Sequence, residues 1–162
     1  MNRAKDAVII VLLVAVVYLL ATRDGTRSVT DDSVATETSI AVLPYLNMSG
    51  DAENEYLSDL LWDETINALA KRADLRVTSR SSSARFKGSR ESVEVIGAEL
   101  GVSYVIEGAV RTADDKVRIM AQLIRVKDGA HIWMEAYERD ADSVDAIPSD
   151  IAESVAQQTA NH

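Results

Sequence analysis

The chain opens on fifteen uncharged positions, 7–21, AVIIVLLVAVVYLLA, and then changes character. Positions 23–38 are polar, lack apolar periodicity and read as a flexible tether. From 39 onward apolar residues recur at regular spacings. Positions 39–46 predict a buried strand ending near Pro44, and 47–51 (NMSGD) is turn chemistry. Over 53–73, Leu57, Leu61, Thr65 and Ala68 form one stripe, widened by Trp62, Ile66 and Leu69. Acidic residues crowd the first turns of that helix, and Lys71 and Arg72 its last, as the helix dipole favours. Positions 75–79 predict a second strand. A short helix over 92–100 has Val93, Ile96, Gly97 and Leu100 on one side and stops at Gly101. Three antiparallel strands follow, 102–112, 117–127 and 130–139. The first puts Val102, Tyr104, Ile106 and Val110 on one face. The turns fall at Asp114-Asp115 and at Asp128-Gly129, the latter a two-residue hairpin signal. A closing helix over 143–158 presents Val144, Ile147, Ile151 and Val155, with Pro148 in its first turn or at its start. The order β-α-β-α-β-β-β-α predicts an α/β (α+β) fold: a mixed sheet with helices on at least one face.

The apolar run changes the picture of where this domain works. Fifteen helical residues span about 22 Å, short of the roughly 20 residues of a full membrane span. Thr22 and the stems of Lys5 and Arg23 extend it, and Tyr18 suits a headgroup boundary. A retained signal anchor is the favoured reading. A cleaved secretory signal is a second, weakened by Leu19 and Ala21, which make a poor cleavage site. A buried core helix is a third. The chain then divides into an anchor (1–22), a linker (23–38) and a folded domain (39–160). Arg3 and Lys5 precede the segment, and Arg23 and Arg27 follow beside Asp24, Asp31 and Asp32. This weak bias favours an inside N-terminus and an extracytoplasmic domain.

Charge and composition exclude some chemistry. The net charge is −9; Arg3, Lys5 and Arg23 outweigh Asp6 by two over 1–23, so the remainder carries −11. Such a domain repels nucleic acid at long range, and no nucleic-acid partner is expected. There is no cysteine, which removes disulfides, thiol catalysis and Cys-ligated metals. His131 is the one histidine inside the domain, and the serines at 79–83 have no base nearby in sequence, so no catalytic residues and no metal site are assigned.

Two stretches stand out as binding candidates. Positions 71–90 form a basic island on this acidic domain. Its loop offers Arg80, Ser81, Ser82, Arg85, Lys87 and Arg90, donors suited to phosphate or carboxylate, against the alternative of a solvated loop balancing nearby acids. The final hairpin, paired from its Asp-Gly turn, puts Ile124 opposite Trp133 and Met120 opposite Tyr137. That apolar face must be covered by the last helix or left for a partner.

Nine blocks in order carry a family resemblance. They are Ile40 to Tyr45 (IAVLPY), NMSGD at 47–51, EYLSD at 55–59, LRVTSRSS at 75–82, FKG at 86–88, IGAELGV at 96–102, VIEGAVR at 105–111, VRIMAQLI at 117–124 and HIW at 131–133. Together they resemble the TolB N-terminal-like domain over about 39–158. Leu60 stands where that family usually has glycine. The resemblance implies an anticodon-binding-domain-like fold in a bacterial envelope protein, with no enzyme activity and no cofactor. It places the chain at the inner membrane as a single-pass protein held through 7–21, with its domain in the periplasm. The expected function is a membrane-anchored binding or scaffolding module acting through contacts with an envelope protein partner. The alternatives are an anion or small-molecule sensor signalling through a separate partner, and the remnant of a longer regulator. Family members often have a cyclase or winged-helix domain before the anchor and repeats after the last helix. With neither in its 162 residues, the chain reads as a near-minimal version.

Overall fold

The computed structural model describes residues 37–161. The expected anchor and nearly all of the linker lie outside the described residues. Among the described residues no helix is long and apolar enough to cross a membrane.

The fold is mixed α+β, with a six-stranded sheet and four helices among the described residues. The elements are β1 (Thr38–Val42), β2 (Leu46–Asn47), a 3-10 turn (Ala52–Asn54), α1 (Glu55–Ala70), β3 (Leu75–Val77), α2 (Arg80–Ala84), α3 (Val93–Leu100), β4 (Tyr104–Ala113), β5 (Lys116–Arg125), β6 (Ala130–Asp140), a second 3-10 turn (Ala141–Ala146) and α4 (Ile147–Ala160). The sheet runs β3-β1-β4-β5-β6. β1 and β2 are successive pieces of one line beside β4, both parallel to it. The single expected strand over 39–46 is thus broken around Pro44, which has no N–H to give to a ladder.

Alternation along β1 feeds two cores. Ile40 and Val42 face the larger one, with Ile106, Val110, Ile119 and Leu123 of the sheet, Leu61, Trp62, Ile66 and Leu69 of α1, and Ile147, Ile151 and Val155 of α4. Ala41 and Leu43 face a smaller one, with Phe86, Ile96, Val102 and Val105. Val102 therefore does not share a face with Tyr104, Ile106 and Val110 as its spacing implied; it precedes β4 and packs on the opposite side. The α1 stripe is buried as expected, while Lys71 and Arg72 fall at and beyond the helix cap. The segment expected as a Ser- and Arg-rich loop contains α2, capped by the Ser79 side chain. Gly101 stops α3 with φ +64, and Pro148 lies in the first turn of α4.

The last hairpin differs from its predicted register. Its turn is four residues, 126–129, with Arg125 opposite Ala130 and a bulge between Leu123 and Ile124. Val126 leaves the ladder because it is used elsewhere: it packs beside the smaller core over Gly97, and its N–H donates to the Ser103 carbonyl at 2.9 Å. Over most of the hairpin the register moves by one residue, which exchanges the two faces of β6 relative to β5.

Candidate functional site

Most of the basic island is paired with the domain's own acids. Arg80 pairs with Asp63 at 3.1 Å and lies over the Trp62 ring. Arg85 pairs with Glu99 at 2.7 Å and lies over Phe86. Lys87 bonds Asp59 at 2.7 Å and Glu55, and these two hydrogen bonds raise its pKa above the usual lysine value. Ser81 and Ser82 share hydrogen bonds with Ser79 at the start of α2. Of the four charged residues among the six predicted, only Arg90 has no ion pair among the described residues. These side chains clasp α2 to α1 and α3. His131 stands opposite Ile124, and among the described residues no group of His, Cys, Asp or Glu is placed to hold a metal ion.

The four residues expected to share the hairpin's partner face are split by the register change. Tyr137 is buried in the larger core and Trp133 packs against it. The Tyr137 hydroxyl donates to Glu135 at 3.1 Å. Ile124 is buried on the opposite side, beside Val105. Met120 alone is exposed, at 45%.

Met120 nevertheless marks a surface. One face of the sheet is covered by α1 and α4. The other is covered by α2 and α3 only where Val105 and Ile124 lie; beyond them β4, β5 and β6 are open. Strand pairing arranges the open residues in rows. The first is Glu107, Gln122 and Met134; the second Leu46, Ala109, Met120 and Ala136; the third Arg111, Arg118 and Glu138; the fourth Ala113, Lys116 and Asp140. The second row is apolar throughout. Leu46, Met120 and Met134 are 48%, 45% and 57% exposed, a cluster unlike single apolar residues scattered on a surface. A cleft of about 190 Å³ opens where this face meets the α2–α3 connection. Leu43, Pro44, Leu46, Phe86 and Met120 form its apolar walls. Its polar end is Glu107, whose carboxylate accepts from Gln122 Nε2 at 2.8 Å.

The sequence held a signal for part of this face. Arg111 and Arg118 are equidistant from the Asp114-Asp115 turn, so that turn alone places them opposite each other. Leu46 and Met134 had no comparable signal, because their exposure depends on where β2 begins and on the bulge.

Residues 36–154 match the family model for the second domain of HilA/YgeH-like transcriptional regulators. The chain belongs to this family. A Rhizobium meliloti protein provisionally named adenylate cyclase 3 is 40% identical over 117 residues, 72% of this chain, and the chain spans one fifth (20%) of that relative's length. The fold recurs in solved structures. Lipoprotein GNA1162 from Neisseria meningitidis matches at a TM-score of 0.54 and 20% identity, over 77% of this chain and 99% of that one. TolB from Acinetobacter baumannii matches at 0.57 and 14%, over 76% of this chain and 28% of that one. The LpoB C-terminal domain from Salmonella enterica matches at 0.51 and 17%, over 64% and 83%. At these identities the likeness is one of fold, and it is the TolB-like fold that the nine sequence blocks implied.

Proposed function

We propose that this domain is a non-catalytic binding module that works through protein–protein contacts on the open face of its sheet, held by its N-terminal segment at the periplasmic side of a bacterial inner membrane. The observation that carries the reading is the exposed apolar row Leu46, Ala109, Met120 and Ala136 beside the Phe86 cleft. A sheet face left apolar and uncovered has a large hydration cost that a partner relieves.

The comparisons support an input role rather than an output role. The same domain is matched in a transcriptional-regulator family and in a protein named for a cyclase, of which it is only 20%. Two outputs of different chemistry with one module in common point to a module that receives or relays contacts. The envelope proteins that share the fold fit a domain of this kind at a membrane. The sensor reading is weaker. The basic loop is neutralised, and a 190 Å³ cleft is below the roughly 300–1,000 Å³ of small-molecule sites, a size for one or two side chains.

Site-specific photocrosslinking in intact cells tests the proposal. A photoreactive residue replacing Met120 should give a discrete protein adduct, and one replacing Tyr56, 74% exposed on α1, should not. Equal, diffuse labelling from both positions would remove the open face as a docking surface.

A further inference from the structure

The open face carries a charge arrangement that the apolar row does not explain. Arg111 and Arg118 are direct partners across β4 and β5, side by side on one face. Like charges in that position destabilise a sheet. Glu138 stands beyond Arg118 in the row, and Asp114, Asp115 and Asp140 line the same depression, yet neither arginine is in an ion pair among the described residues. Seven other Lys and Arg side chains here are held by carboxylates, among them Lys116 by Asp140 in the next row. An acidic domain with carboxylates to spare thus leaves two adjacent guanidiniums unmatched, next to its exposed apolar row.

We infer that the face reads an acidic, apolar peptide segment of a partner protein: apolar side chains lie along the Leu46–Met120 row and into the Phe86 cleft, and a carboxylate is held between Arg111 and Arg118. The inference rests on the docking reading above and adds the chemistry of the occupant. Rows on one face of a strand are about 7 Å apart. The carboxylate therefore sits two residues from the apolar anchor in an extended segment, or three to four in a helix. Paired guanidiniums match a carboxylate with several charge-assisted hydrogen bonds. Glu107 at the other end of the cleft repels a second acid and sets the direction of the segment. A membrane surface is the less fitting occupant: the row and cleft are narrow, and Glu107, Glu138 and Asp140 at their edges leave room for a single carboxylate between the arginines but repel a surface of many anions.

The test is a random twelve-residue peptide display selection on the full chain in non-ionic detergent. It is repeated with Arg111→Glu/Arg118→Glu, with Met120→Lys, and with Lys71→Glu as an exposed charge change at the far end of α1. The wild-type chain should enrich peptides with an acid at the stated spacing from an apolar residue. Their affinity should fall about tenfold or more in the double charge change, fall likewise with Met120→Lys, and survive Lys71→Glu. The single change Arg111→Glu should raise the melting temperature, by relieving the Arg–Arg contact, while weakening binding, a pairing that a merely structural role does not produce. Peptides that bind the double charge variant as well as wild type but are lost with Met120→Lys would overturn the acidic occupant and leave the docking face standing. No enrichment that depends on either would overturn both. Wild-type binding to phosphatidylglycerol vesicles through the two arginines, with no peptide enrichment, would overturn the inference in favour of a lipid surface.

Discussion

At the residue scale the site depends on one close approach. Gly108 in β4 faces the ring of Tyr45, which is fully buried just after the break in β1 and donates its hydroxyl to Thr65 at 3.1 Å. A Cβ at 108 would run into that ring. The ring is buried among the residues of the larger core, and it sits within the Leu43–Leu46 segment that forms one wall of the cleft. Gly108→Ala should therefore destabilise the domain by about 1–3 kcal/mol, the usual cost of overpacking, read as a lower urea midpoint. Tyr45→Leu in the same background should recover part of the loss, because the two changes share a contact. Gly108 was visible in the sequence inside the family-like block at 105–111, but its reason was not. The partner is a residue 63 positions earlier in the chain, and it is the pairing of β1 and β2 with β4 that brings them together.

At the element scale, the parts written in local periodicity were legible and the parts set by long-range competition were not. The stripe of α1, the stop of α3 at Gly101 and the Pro148 start of α4 follow from spacing and backbone chemistry within a few residues. The Asp-Gly turn misled because Val126 is taken by the smaller core, a demand from α3 that no reading of the hairpin alone contains. The basic loop misled in a different way. Its charge was plain, but the acids that neutralise it, Asp63, Asp59, Glu55 and Glu99, lie on the separate helices α1 and α3. The corrected register also has a measurable consequence. With Tyr137 turned inward against α4, burial raises its hydroxyl pKa from the ordinary 10 to about 12, opposed by a bond with Ser154 and helped by Glu135. Tyr45 is raised as well, chiefly by burial. A folded pKa above the unfolded one means the folded state keeps the proton. The stabilisation is complete below pH 10 and is lost as pH rises toward 12. The denaturation midpoint should fall across that window, and Tyr137→Phe should flatten the fall. A Tyr137 left on the outer face would add nothing to the slope that Tyr45 gives.

At the scale of the whole molecule the proposed membrane placement is tested by asking which side of the membrane this module faces. Residues 37–161 form a compact unit with a core of its own, so a reporter joined after it reads the side of the membrane that the domain occupies. The sequence bias is small: Arg3 and Lys5 before the apolar segment, Arg23 and Arg27 after it, with Asp24, Asp31 and Asp32 contributing little to orientation. A short N-terminus is the easier part to retain inside, and the longer part then crosses. Alkaline phosphatase joined after residue 161 should be active, because it folds only outside the cytoplasm, while β-galactosidase at the same point should be inactive. Arg3→Glu/Lys5→Glu should shift both signals toward the reverse. The opposite pattern in the wild-type chain would place the open sheet face in the cytoplasm. The same face would then meet cytoplasmic partners, and the periplasmic half of the proposal would fall while the docking half remained.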